Sequence, residues 1–390
     1  MLIERPHRFE SYGAVRIFDV AKVLELDANG YRGHRGAYAL DCATAENIAS
    51  QTAIVVPVKN EDLLTLEGVL SAIPHESPIV LVSASSRRPA DKYKYEVELA
   101  RSIHTSTRRP IVTVHQFDPV WGEVLQGTPL ESMIDEGTGT IRKGKGEGML
   151  LGVIVAAALG MEYVGFIDSD NYVPGAAHEY AWIYYAGFSL STTPYSMVRI
   201  KWPFKGKLAA SDVYLRRRGR VSRTTNAIMN YALSLLRKVE TDIVQTANSG
   251  EHALSIDLAL KMKWAGGFAV EPYQLVNLFE NCYIELSSDT CPALPEGVTI
   301  FQIQSRNPHI HAERGDEHIA EMTAVSLGTI YHSKLADERV KIRIERILRD
   351  QGFLEQPPKP RVYEPAGIDP QKVFTEAVTL SNEIHLMKSY

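Results

Sequence analysis

The sequence predicts an α/β protein built on a Rossmann-like, mainly parallel sheet. Three observations carry this expectation. Four short apolar, β-branched runs recur along the first half: Thr52 to Pro57 (TAIVVP), Ile79 to Val82 (IVLV), Ile111 to His115 (IVTVH) and Tyr163 to Ile167 (YVGFI). Segments with helical spacing lie between them, which is the pattern of βαβ units. Polar residues follow directly: Lys59-Asn60-Glu61, Ser83 to Ser86, and Asp168-Ser169-Asp170. In such sheets ligands bind beyond the carboxyl ends of the strands, so these are the first positions to inspect.

Taken in order, Thr52 to Pro57 reads as a buried strand ending in a loop. Asp62 to Ala72 has helical spacing until Pro74 breaks it. Ile79 to Val82 and Ile111 to His115 are the next strands. Met149 to Leu159 reads as a buried helix stopped by Gly160, and Tyr163 to Ile167 as the fourth strand. Beyond Asp170, Met197 to Lys201 reads as a strand, Arg216 to Arg223 as a basic stretch, and Thr225 to Lys238 and Glu251 to Met262 as helices. A helical C-terminal third starts near Glu317, with a proline-rich break at Gln356 to Pro360. The expected layout is an N-terminal extension over residues 1–50 and a catalytic core over 51–320. The core divides into a first half (51–171) and a second half (172–320), which the family resemblance described below makes the nucleotide-sugar and acceptor halves, and a helical extension over 321–390 follows.

Bulk properties exclude several classes. The 390 residues carry a formal net charge of −5, with 45% hydrophobic and 23% charged residues. That balance argues against nucleic acid or an anionic membrane as the main partner. The longest apolar run, Met149 to Leu159, is too short to span a bilayer. No signal-peptide core opens the chain, and Cys42, Cys282 and Cys291 form no CxxC pair. They are expected to be reduced thiols of a cytoplasmic protein.

Five constellations carry chemistry. In Gly165-Phe166-Ile167-Asp168-Ser169-Asp170-Asn171 an apolar strand runs into two carboxylates spaced i, i+2. Two hard oxygen donors suit Mg²⁺ or Mn²⁺ held against a diphosphate, although a solvated loop or helix cap has the same composition. Gly144-Lys145-Gly146-Glu147-Gly148 precedes the apolar helix, where glycines permit close backbone approach and Lys145 can neutralise a phosphate. It is equally readable as a flexible basic loop. Arg216-Arg217-Arg218-Gly219-Arg220-Val221-Ser222 suits an acceptor bearing phosphate and carboxylate, or is a surface charge run. Arg306-Asn307-Pro308-His309-Ile310-His311 places two imidazoles on an extended segment, able to complete a metal shell. Glu251, in Asn248-Ser249-Gly250-Glu251-His252, is an active-site carboxylate or a first-turn helix acid.

Together the motifs resemble mannosyl-3-phosphoglycerate synthases, retaining glycosyltransferases of GT-A fold related to glucosyl-3-phosphoglycerate synthases. The resemblance runs from Phe9-Glu10-Ser11-Tyr12-Gly13 to about His332. It rests on VVPVKNE (Val55 to Glu61), GKGEGM (Gly144 to Met149), GFIDSDNYVPGA (Gly165 to Ala176), GRVS (Gly219 to Ser222), ANSGEHAL (Ala247 to Leu254) and QSRNPHIHAERGDEHI (Gln304 to Ile319). It implies GDP-mannose as donor, 3-phosphoglycerate as acceptor, a divalent metal (Mg²⁺ or Mn²⁺), and a product feeding mannosylglycerate synthesis. By the same resemblance Asp168 and Asp170 bind metal with a late histidine, His311 being favoured over His309. Pro57, Lys59, Glu61 and Ser83 fall on the donor site, with Lys145 and Asp168 at the diphosphate. Gly219, Arg220, Ser222 and Asn248 fall on the acceptor. Glu251 orients a donor hydroxyl or supports the cationic sugar. A homodimer is the expected assembly. Three rivals remain: a glucosyl homologue, a nucleotidyltransferase lacking its usual N-terminal glycine-rich loop, and a nucleotide-sugar binding protein without turnover.

Overall fold

The computed structural model describes residues 1–26, 36–203, 205–209, 212–216, 220–312, 316–353 and 356–388. Among these, a twelve-stranded sheet runs through the molecule. Its order is His385–Met387, Ile111–His115, Ile79–Ser83, Thr52–Val58, Tyr163–Phe166, His252–Ser255, Tyr195–Lys201, Val298–Gln304, Val15–Glu25, Leu2–Glu4 and Ala37–Ala39. Phe9–Tyr12 pairs on Val15–Glu25.

The strands from Ile111–His115 to Tyr163–Phe166 are mutually parallel, with Val55 opposite Val80 on one side and Phe166 on the other. A second parallel group joins Tyr195–Lys201, Val298–Gln304 and Val15–Glu25. His252–Ser255 links the groups and runs antiparallel to both of its neighbours. The parallel strands of the first group are almost wholly apolar and buried, as expected where helices cover both faces. Ala53, Ile54, Val55 and Val56 are all fully buried, so odd and even positions pack into two different cores.

The expected strands of the first half are present within a residue or two at each end. Asp62 caps the Leu63–Ala72 helix by accepting from the N–H groups of Leu64 and Thr65 at 3.0 and 3.2 Å. The apolar helix starts earlier than its hydrophobic run suggests, spanning Lys145–Ala158. One element differs in kind. Glu251 to Met262 is not one helix but the strand His252–Ser255 followed by the short helix Ile256–Lys261. His252, Ala253 and Leu254 are buried on both faces of the sheet. Such a strand shows no alternation, and periodicity alone does not separate it from a buried helix.

The cysteines also require correction. Cys282 and Cys291 form a disulfide, and only Cys42 is free. A π-helical turn over Glu280–Ile284 and the loop after it return the chain on itself, bringing the two Cα atoms to 4.7 Å. Spacing in sequence did not reveal that return. The thiol-based argument for compartment lapses with it.

The C-terminal third contains the expected helices, Asp316–Tyr331, Glu338–Asp350 and Pro370–Leu380. It also adds Val362–Tyr363, paired with Trp264–Ala265, and His385–Met387 at the edge of the main sheet. Among the described residues no helix is long and apolar enough to cross a membrane.

Candidate active site

The carboxyl ends of Thr52–Val58 and Tyr163–Phe166 open onto a cavity of about 730 Å³. Of the residues expected at a site, Pro57, Lys59, Glu61, Lys145, Asp168, Asp170 and His309 line it. One ligand atom from each of Asp168, Asp170 and His309 lies within 4.8 Å of the others. The sequence favours His311 of the histidine pair; the structure brings His309 to the carboxylates. His311 sits on the same strand, His309–Ala312, with its side chain outside the described residues.

This convergence joins segments far apart in sequence. The Tyr172 N–H donates to the Ile310 carbonyl at 2.9 Å, fastening the loop after Asp170 to the histidine strand. Glu179, fully buried, accepts from the N–H groups of Arg306 and Asn307 at 2.6 and 2.8 Å and from Asn307 Nδ2 at 2.7 Å. Its carboxylate holds the turn that delivers His309. Behind the cluster, His309 Nδ1 lies 3.2 Å from Glu251 Oε1, with both side chains buried. Glu251 precedes a strand, so the helix-cap explanation of this acid does not apply.

Lys145 is the cationic centre of the cavity floor. Its Nζ lies 2.8 Å from Asp168 Oδ1 and 3.0 Å from Glu271 Oε1. Burial works against its charge, but Asp168, Glu271 and Glu251 outweigh burial and hold the ammonium well above the usual lysine range. Sequence reasoning missed Glu271, which lies in the first turn of the Val270–Phe279 helix, where an acid is ordinary. Arg199, also missed, is fully buried under the site. It donates to the carbonyls of Thr246, Ala247 and Glu271 at 3.0, 3.1 and 3.0 Å and to Gln274 Oε1 at 2.8 Å. Burial pushes this guanidinium down to about 10, with Glu271 opposing the shift. Arg199 thereby ties Thr246-Ala247, at the start of the loop that leads to Glu251, and the Glu271 helix to one strand. His252 beside it stays neutral, lowered well below the usual range by burial and then by Arg199 and Lys145.

The glycines around Lys145 serve packing. A Cβ on Gly146 would meet the Ala265 carbonyl oxygen at 2.1 Å, and one on Gly144 would meet Glu147 Oε2 at 2.0 Å. Buried Glu147 accepts from the Gly267 N–H at 2.8 Å and the Tyr363 hydroxyl at 2.7 Å. The close backbone approach expected of this segment is therefore made to protein.

Other expected residues stand apart from the cavity. Ser83 is fully buried, and its hydroxyl accepts from the Ser85 N–H at 3.2 Å. Asn248 Nδ2 donates to Ser326 Oγ at 2.8 Å, fastening its loop to the Asp316–Tyr331 helix. Ser222 lies half-buried in the first turn of the Arg220–Arg237 helix. Gly219 and the Arg220 side chain lie outside the described residues. A second cavity, of about 540 Å³, shares Lys59 and Lys143 with the first and reaches Ser85 and His115.

The chain is similar to known proteins over nearly its whole length. The family model for mannosyl-3-phosphoglycerate synthase matches residues 5–378. The mannosyl-3-phosphoglycerate synthase of Aeropyrum pernix is 58% identical over 383 residues, covering 98% of each chain. That of Pyrococcus furiosus is 41% identical over 372 residues, covering 94% of each. Among solved structures, glucosyl-3-phosphoglycerate synthase from Mycobacterium tuberculosis, in complex with Mn²⁺, UDP and glucosyl-3-phosphoglycerate, superposes with a TM-score of 0.47 at 19% identity. The match covers 79% of this chain and 88% of that one. On the family match and the two relatives, the chain belongs to the mannosyl-3-phosphoglycerate synthase family.

Proposed function

We propose that this chain transfers mannose from GDP-mannose to 3-phosphoglycerate with retention, giving mannosyl-3-phosphoglycerate for mannosylglycerate synthesis. The observation that carries the reading is the gathering of Lys145, Asp168, Asp170 and His309 on one cavity, in a chain 58% identical to a mannosyl-3-phosphoglycerate synthase.

Two carboxylates and an imidazole with ligand atoms within 4.8 Å of one another fit a divalent ion such as Mg²⁺ or Mn²⁺. Asp168, Asp170 and His309 would hold it, and it would supply positive charge against the departing diphosphate. The rest falls to the chain's own groups. Lys145, kept charged by its two carboxylates, faces the same developing negative charge without having to reorganise. The acceptor hydroxyl attacks the anomeric carbon from the face the diphosphate leaves, and its proton passes to the leaving phosphate oxygen. No strong protein base is required, and positioning carries much of the rate. Glu251, buried beside His309, orients a donor hydroxyl or supports positive charge on the sugar. Gly219, Arg220, Ser222 and Asn248 hold the phosphoglycerate, the arginine fork suiting its phosphate and carboxylate. The enzyme works in the cytoplasm with its soluble charged substrates, as a homodimer to be tested by light scattering.

The test is a product assay with 3-phosphoglycerate, Mg²⁺ or Mn²⁺, and each of GDP-mannose, GDP-glucose and UDP-glucose, with an EDTA control. Metal-dependent transfer from GDP-mannose is expected. Transfer from a glucose donor alone moves the chain to the sister activity, and binding without transfer overturns the reading. An Asp168→Ala variant with normal turnover and metal response would sink the metal assignment.

A further inference from the structure

We propose that the segment Pro357–Tyr363 is a strap that completes the donor site, with Lys359 and Arg361 holding the diphosphate of the nucleotide sugar. The inference rests on the function proposed above and adds residues that none of the sequence motifs contains.

The strap is built into the cavity wall. His332 Nε2 lies 2.7 Å from the Pro357 carbonyl oxygen, and Gly328 approaches Pro358 so closely that a Cβ there would meet its carbonyl at 2.2 Å. At the other end the Gly266 N–H donates to the Arg361 carbonyl at 3.0 Å, and Val362–Tyr363 pairs with Trp264–Ala265. The Tyr363 hydroxyl donates to Glu147, whose carboxylate also receives the Gly267 N–H. Lys359 and Arg361 are thus carried on a backbone anchored on both sides, and both line the cavity.

Charge explains why the cavity uses them. Asp168, Asp170 and Glu271 on the cavity wall, with Glu251 buried behind His309, outnumber the Lys145 ammonium, which two of them already engage; Lys59 and Lys143 are the other cations that line the cavity away from the strap. A divalent ion offsets that excess without leaving the floor positive enough for a diphosphate. Lys359 and Arg361 are exposed at the rim and make no ion pair among the described residues. Two such cations on an anchored segment form the complementary half of an anion site, arginine supplying a fork and lysine a point charge. The donor is the ligand that fits. The strap shares the cavity with Lys145 and Asp168, whereas the acceptor candidates Ser222 and Asn248 do not line it.

The test titrates GDP with Mg²⁺ into the full chain and into a Lys359→Gln/Arg361→Gln variant by calorimetry. Thermal midpoints and the separate KM values for GDP-mannose and 3-phosphoglycerate are measured on the same proteins. The double variant is expected to bind GDP about tenfold more weakly and to raise the donor KM by about tenfold, leaving the acceptor KM and thermal midpoint unchanged. Arg361→Lys is expected to recover part of the loss. Unchanged GDP affinity in the folded variant, or an effect confined to the acceptor KM, overturns the proposal. If the double variant does not fold, Lys359→Gln alone decides by the same titration. If the wild type binds GDP but transfers nothing from GDP-mannose, the proposed function fails, and the GDP titration still judges the strap.

Discussion

The start of the Lys145–Ala158 helix and the strap Pro357–Tyr363 bring cations to the same cavity in opposite ways. Lys145 is half-buried and locked between Asp168 and Glu271. Lys359 and Arg361 are exposed and make no ion pair among the described residues. A locked charge is oriented before the substrate arrives and belongs to the transition state. A rim charge is hydrated until the ligand displaces water, and belongs to binding. The two regions should therefore separate in kinetics, one in kcat and the other in donor KM.

Lys145→Met gives the largest effect, a fall in kcat of about a hundredfold or more with a smaller change in donor KM. It also leaves Asp168 and Glu271 facing each other, costing about 2 kcal/mol in chemical denaturation once partial exposure is allowed for. A kcat left intact would break the comparison. Gly146→Ala comes next. Its Cβ meets the Ala265 carbonyl, so unfolding free energy should drop by about 2 kcal/mol, and turnover of the folded fraction should persist. Loss of GDP affinity at unchanged stability would instead make that glycine a phosphate contact. Tyr363→Phe removes the bond to Glu147 that joins the two regions. It should cost about 1 kcal/mol and raise the donor KM by about threefold without touching kcat.

The last effect is graded with pH and concerns two buried histidines, His115 at the second cavity and His252 beside Arg199. Burial lowers His115 and His252 below the ordinary histidine value of 6.5. The unfolded chain takes up protons near that value and the folded chain does not. The stability they contribute is therefore full above about 6.5 and is lost as pH falls below it, by up to about 1.4 kcal/mol per unit for each. Denaturant midpoints at pH 7.5 and 5.5 check this, and a flat profile would contradict it.

The parallel strands and the acids after the fourth were legible because short β-branched runs and a change to polar residues at strand ends are local signals. Lys145, Asp168, Asp170 and the histidine pair followed from such signals together with the family resemblance, but the preference for His311 did not match the structure, which brings His309 to the carboxylates. What escaped depends on distant partners. Glu271 looks like any first-turn acid until Lys145 is placed against it. Arg199 reads as one polar residue in a strand until four acceptors are seen around it. Glu179 lies in a helix that no strong periodicity announces, because nearly all its faces are buried. The disulfide required a chain return that composition does not encode.

The pairing of His385–Met387 on Ile111–His115 bears on handling the protein as well as on its fold. Without that last strand, Ile111, Val112 and Thr113, each buried in the intact molecule, would lie on an open, largely apolar edge with unpaired N–H and carbonyl groups. Such edges recruit strands from other molecules. Chains cut before His385 are thus expected to clump during expression while keeping much of their catalytic machinery, and light scattering of a shortened chain would reveal it.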